Sequence, residues 1–388
     1  MKIVRVAVLI AALGVAALGL AAGAAGLLFG LLSGEEQLTA VTLSLSVLVL
    51  TVGGGALIAW QAWQSIQGRS SPPFRPRWGW WLLLAFCLVL ILGQAVLIFD
   101  LLPLLTFPPL HVAAALLPAL TIVGLVGRPL GGIARRREMV WQVGSGALLS
   151  SFLAGVLESV ILGGLFVTVW VFIGLQPGGE EQLTHLADLL ENATQDQLMD
   201  LLSRLARSPG VVLVALLVAA GLIPLVEEGV KTVGVALMMS FYRPGPAQAF
   251  LWGVGSGAGF ALAEALFSSA SVLDAWGVVA LTRSGATLLH CTAGGLMGLA
   301  WYFLLVQGRW QRTLGLYAAS VGIHALWNLS TVGISVLSFS TLDKPAMGPE
   351  QMLAGVGIVG IVGLLVLLIL LIVGVLAGLT WYLSKRGR

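Results

Sequence analysis

The chain has 388 residues, of which 58% are hydrophobic and only 10% charged. A water-soluble domain carries about a quarter charged residues, so an ordinary soluble fold is excluded. The net charge of +3 would suit a polyanion partner, but the positions of the charges exclude that class as well.

Apolar runs long enough to cross a bilayer recur along the chain, and in lipid the backbone must satisfy its own hydrogen bonds. Alternation of the barrel-strand kind is missing, so the runs predict an all-α, polytopic membrane protein. Ten spans are expected, at about 4–32, 39–60, 80–102, 105–126, 139–175, 210–240, 248–270, 282–306, 313–340 and 351–383. The first begins like a secretory signal, with Lys2 and Arg5 ahead of an apolar run and small residues near Ala24. Its apolar stretch continues to Leu32, too long for a signal, which predicts an uncleaved helix.

On one side of the spans lie Lys2, Arg5, Arg69, Arg75, Arg77, Arg128, Arg135, Arg136, Arg137, Arg243, Arg309, Arg312, Lys385, Arg386 and Arg388, with Glu138 as the one acid. The other side holds Glu35, Glu36, Asp100, Glu180, Glu181, Asp188, Glu191, Asp196, Asp200, Asp274, Asp343 and Glu350, with three basic residues. Fifteen basic residues against three is a positive-inside asymmetry and predicts that both termini are cytoplasmic. The basic excess is therefore topology in a multi-pass cell-membrane protein, and no nucleic acid is expected. Trp60, Trp63, Trp78, Trp80, Trp81, Trp252, Trp301, Trp310 and Trp381 near the same helix ends read as an interfacial belt. Cys87 and Cys291 both fall inside spans, so no disulfide framework is expected.

Residues 1–175 form an N-terminal membrane domain of about five helices, read as accessory, whose only intramembrane charge is Glu158. The polar segment 176–208 follows; its leucines, from Leu183 to Leu205, recur at helical spacing and predict one or two amphipathic helices on the outer surface. It also holds a glycosylation-type triplet, Asn192-Ala193-Thr194. Residues 209–340 form a four-helix core, and 341–388 a last span with a basic tail. Gly253, Gly255, Gly257 and Gly259, and Gly294 with Gly298, have the spacing that lets helices approach closely.

The core carries Glu227, Glu228, Lys231, Glu264, His290, His324 and Asn328 inside its spans. Three glutamates and a lysine would together cost on the order of 10 kcal/mol in hydrocarbon unless they meet one another or water. That cost marks the cluster as the candidate site. Glu227 and Lys231 stand at i,i+4 and can pair, while Glu228, also within i,i+3 of Lys231, points about 100° away from Glu227. The lysine can thus hold one carboxylate and leave the other for chemistry. Pro224 removes a backbone donor and is expected to kink the helix. Such a set can activate water: a carboxylate as general base, a histidine to orient the reacting group, and an asparagine amide to donate to an oxyanion. Alternatively, two histidines and one or two glutamates can bind Zn2+ with an open position, although HExxH is absent. His111, beside a proline-rich stretch, and His185 read as surface residues, and Cys291 as a small core residue.

In order and spacing, Glu227-Glu228-x-x-Lys231, Phe260-x-x-x-Glu264, His290 and His324-x-x-x-Asn328 resemble the PrsW family of intramembrane proteases. That family is related to the superfamily of CAAX prenyl endopeptidases and bacteriocin-processing enzymes. Glutamate at position 264, rather than histidine, favours the PrsW branch. The resemblance covers about residues 209–335 and implies a membrane-embedded peptidase, metal-dependent or of the glutamate type. Its substrates would be single-pass or membrane-anchored proteins such as anti-sigma-factor-like regulators. On that pattern Glu227 and Glu228 carry the base function and Lys231 holds them. His290 and Glu264 orient water or a metal, and His324 with Asn328 polarises the scissile carbonyl. Two other readings stay open, a proton- or ion-coupled transporter and a membrane scaffold that binds substrates without cutting them.

Overall fold

The computed structural model describes residues 2–32, 34, 37–192, 194–270, 272–341 and 348–386. Glu35, Glu36, Asp343 and Arg388 of the charge asymmetry, and Ala193 of the glycosylation triplet, lie outside the described residues. Among the described residues the elements are helices, and ten of them are long and apolar enough to cross a membrane. The protein is all-α and multi-pass.

The helices are α1 (Lys2–Leu32), α2 (Gln37–Ile66), α3 (Gly79–Phe99), α4 (Pro103–Gly127) and α5 (Arg136–Gly174). The polar segment forms two helices, α6 (Gly179–Asn192) and α7 (Gln195–Ala206). Then come α8 (Pro209–Met239), α9 (Pro246–Ser268), α10 (Trp276–Val306), α11 (Trp310–Ser340) and α12 (Pro349–Arg386). They divide into two compact units. The first comprises Met1–Phe152, Glu228–Val321 and Ile369–Arg388, and the second Leu153–Glu227 and Gly322–Leu368.

In the first unit α9 is the central helix, and its glycine run decides how it packs. A Cβ built on Gly253 would lie 2.0 Å from the Gly294 carbonyl oxygen, and one on Gly257 2.0 Å from that of His290. A Cβ on Gly259 would lie 1.9 Å from the Val143 oxygen on α5. These positions therefore admit only glycine, and backbone meets backbone on two faces of α9. Around this contact an apolar core forms from Phe250, Leu251, Trp252 and Val254 of α9, Val123 and Val126 of α4, and Val235 and Met239 of α8.

Trp252 belongs to that core, 1% exposed, and not to the interfacial belt. Its indole N–H donates to Glu138 Oε2 at 3.2 Å, and Gln248 Nε2 donates to the same oxygen at 2.9 Å. Trp301 is likewise half-buried, donating to Thr232 Oγ1 at 2.9 Å. Both sit at helix ends, but a polar partner inside the unit draws each ring inward. Trp60, Trp63, Trp78, Trp80, Trp81, Trp310 and Trp381 stay exposed, as a belt requires.

In the second unit Thr194 caps α7: its Oγ1 accepts from Gln197 N, and its own N–H donates to Gln197 Oε1 at 2.8 Å. Leu198, Leu202 and Leu205 remain exposed on α7, an apolar stripe of the expected kind. The π-helical turn Leu217–Leu222 of α8 directly precedes Pro224, which has no N–H to donate to the turn before it.

The glycine contacts carry a direct test. Gly257→Ala should destabilise the protein by about 1–3 kcal/mol through overpacking. Gly163→Ala, at a position with open space around it, should be neutral or stabilising by up to about 1 kcal/mol. Denaturant unfolding in mixed micelles checks both.

Candidate active site

The double glutamate lies on the helical stretch Ile223–Val230 of α8, and the boundary between the two units falls between Glu227 and Glu228. A turn at Lys231–Thr232 interrupts α8 one residue further on; Thr232 has φ −115° and ψ 24°. Ser256 Oγ donates to the freed Lys231 carbonyl at 2.8 Å. Lys231 makes its close ion pair with Glu228, at i,i+3, and both side chains are fully buried. This is the i,i+3 pairing that the spacing allowed beside the i,i+4 pairing with Glu227.

The Lys231 ammonium also stands 4.8 Å from the centroid of the Phe260 ring. The other side of this environment is the His290 ring, whose centroid lies 5.4 Å from that of Phe260. One turn along α9, Glu264 Oε2 lies 2.6 Å from His290 Nε2 and 2.7 Å from Arg283 Nη2. A carboxylate only accepts, so this bond assigns the proton of a neutral His290 to Nε2 and leaves Nδ1 with the lone pair.

Arg283 was missed by the sequence reading, which started the eighth span at about residue 282. The helix starts at Trp276, so Arg283 is two turns in. Its spacing of seven from His290 was the available signal, since that interval returns to the same helix face.

In the second unit His324 Nε2 faces Glu227 Oε2 at 3.7 Å, and both side chains are buried. That is too long for a hydrogen bond. Two ligands about 2.1 Å from a tetrahedral ion stand about 3.4 Å apart, so an imidazole and a carboxylate at this separation suit zinc. Asn328, one turn along α11, donates through Nδ2 to the Ala219 carbonyl at 2.8 Å. One of its N–H groups thus braces the π-helical turn of α8, and the second is the donor that an oxyanion role would use.

His111 does not lie at the surface. It is 1% exposed, because α4 runs on through Pro108 and Pro109 and carries position 111 into the first unit. Its Nε2 meets the Leu266 carbonyl at 2.9 Å, and its Nδ1 accepts from Trp276 Nε1 at 3.1 Å. Both ring nitrogens are engaged, so His111 ties α4 to α9 and α10 as a structural residue. His185 is exposed on α6 and Cys291 is buried, as expected.

The buried pair in the first unit is open to measurement. Lys231→Met removes the ammonium beside a buried carboxylate and should cost about 3–5 kcal/mol, and the double change Glu228→Gln/Lys231→Met should recover most of it. Equal losses in the single and double variants would show that the pair is not coupled.

With this geometry in hand, similarity to known proteins can be weighed. No curated protein and no solved structure matches the chain. The family of PrsW intramembrane metalloproteases matches residues 134–371, more than half of the 388 residues. The match extends past the motif-bearing 209–335, from the start of α5 into α12, and contains every motif residue described above. The chain belongs to the PrsW family of intramembrane metalloproteases.

Proposed function

We propose that the protein hydrolyses peptide bonds of single-pass or membrane-anchored proteins in or beside the bilayer, regulators of the anti-sigma-factor type among them. The observation that carries this reading is the buried Glu227–His324 pair, 3.7 Å apart, on residues that hold the family's motif positions. Its donors and spacing suit a zinc ion.

In this scheme Glu227 and His324 are metal-ligating groups. When bound, the ion supplies Lewis-acid polarisation of the scissile carbonyl. Glu228, oriented by Lys231, takes a proton from the attacking water and returns it to the leaving amine as the C–N bond breaks. His290, with its tautomer set by Glu264, orients water or metal through Nδ1. Asn328 donates to the oxygen that gains charge as the carbonyl becomes tetrahedral. Residues 1–175 act as an accessory membrane domain around the four-helix core of 209–340. Both termini lie on the cytoplasmic side, where the basic loops collect.

Reconstitution with a single-pass substrate tests the reading. Glu228→Ala and His324→Ala should each lower cleavage by at least about 100-fold, with unfolding midpoints that show the variants folded. Full cleavage by both would overturn it. Purified protein should also carry zinc, measurable by elemental analysis. Glu227→Ala and His324→Ala should each deplete it, and chelation should stop cleavage.

A further inference from the structure

Glu264 Oε2 is shared by two donors, and only one of them, His290, lies in the motif positions. The other is Arg283, 2.7 Å away, on the same helix as His290 and two turns before it. We propose that Arg283 is a positioning residue for the peptidase reaction. It fixes the Glu264 carboxylate, and through it the tautomer and orientation of His290. The inference rests on the reading of His290 as a site residue given above.

Exposure shows why the carboxylate needs a second hold. The His290 side chain is 2% exposed, while Glu264 and Arg283 are 28% and 22% exposed. Glutamate has three side-chain torsions, and a partly exposed carboxylate can turn outward to water or headgroups. Two donors converging on one oxygen from α10 restrain it on both sides; His290 alone restrains it on one. A charge-assisted bond from a guanidinium is also among the stronger hydrogen bonds available.

Losing the carboxylate has a defined chemical result. The two neutral tautomers of an imidazole differ little in energy, and the partner of one nitrogen decides which is populated. With Glu264 in place, Nε2 carries the proton and Nδ1 keeps the lone pair, which is the nitrogen able to accept a proton or a metal. Without it, His290 divides between tautomers, and part of the population presents an N–H where a lone pair is needed. Around the guanidinium, His111, Ser269, Ser284 and Thr287 line the same small cavity as Arg283 and bring no carboxylate. Glu264 is therefore the anion toward which the arginine is directed. A purely structural pairing would also place Arg283 beside Glu264, but it would leave the His290 tautomer independent of Arg283. The two cases differ in what can be measured.

The chain has four histidines, so 15N-histidine NMR of the full protein in bilayers is tractable, with the His290 signals assigned by their loss in His290→Gln. The wild type should show His290 as a single Nε2–H tautomer. Arg283→Ala should give a mixture containing the Nδ1–H form, and Arg283→Lys should restore most of the Nε2–H signal. With a single-pass substrate, Arg283→Ala should lower kcat by about 10–100-fold with KM little changed, and lysine should recover part of the loss. Where Arg283→Ala does not fold, Arg283→Gln carries the same comparison. An unchanged tautomer together with unchanged kcat would overturn the inference. Full cleavage by His290→Gln is a different failure, since it removes the peptidase reading of His290 and leaves the tautomer result as it stands.

Discussion

The approach of α9 to α10 through glycine is the contact on which the rest of the first unit depends. Because no side chain separates the two backbones at Gly253, Gly257, Gly294 and Gly298, residues one to three turns from the contact on each helix come within bonding distance of each other. Phe260 stacks near His290, and Glu264 reaches both His290 and Arg283. The same helix meets α5 at Gly259, so α9 cannot move aside to accommodate a larger residue on either face. In lipid the hydrophobic effect does little to hold helices together, and close packing with polar bonds takes its place. Here the tight backbone contact and the polar bonds lie on the same pair of helices. Packing thus supplies the rigidity, and the charges use it.

The buried charges are met in different ways. Lys231 and Glu228 form a closed pair with both side chains fully buried, beside the Phe260 ring. Glu264 and Arg283 form a pair at a quarter exposure, within reach of a wetter environment. Glu227 and His324 are both buried, with Nε2 and Oε2 3.7 Å apart. A buried pair needs good geometry to offset desolvation. The first of these has it without help. The third has the spacing that a metal would give its ligands.

Much of this was legible in the sequence. Ten apolar runs appeared as ten helices because length and hydropathy act residue by residue. The amphipathic segment and the glycine contacts followed from helical spacing for the same reason. What was not legible depended on backbone irregularities that spacing cannot express. Lys231 pairs with Glu228 at i,i+3, while the interruption of α8 at Lys231–Thr232 was not visible in the spacing. Arg283 was lost to a boundary that began six residues late. His111 was assigned to the surface because Pro108 and Pro109 suggest a loop, yet α4 continues through them. Trp252 was placed in the belt by its position near a helix end, whereas its partner Glu138 drew it inward.

The Glu227-Glu228 dipeptide shows how one short stretch can serve two chemical tasks. Successive residues on a helix point about 100° apart, so adjacent carboxylates can take different partners. Glu228 faces a lysine three residues along its own chain, and Glu227 faces a histidine on α11. An ammonium offers three donors and no acceptor, which suits a carboxylate that must be held as a base. An imidazole offers a nitrogen lone pair, which suits a carboxylate that must share a cation. The choice of partner, lysine for one and histidine for the other, therefore gives neighbouring carboxylates different chemical surroundings. A second histidine in place of Lys231 would remove that distinction, because both carboxylates would then face groups able to bind the same ion.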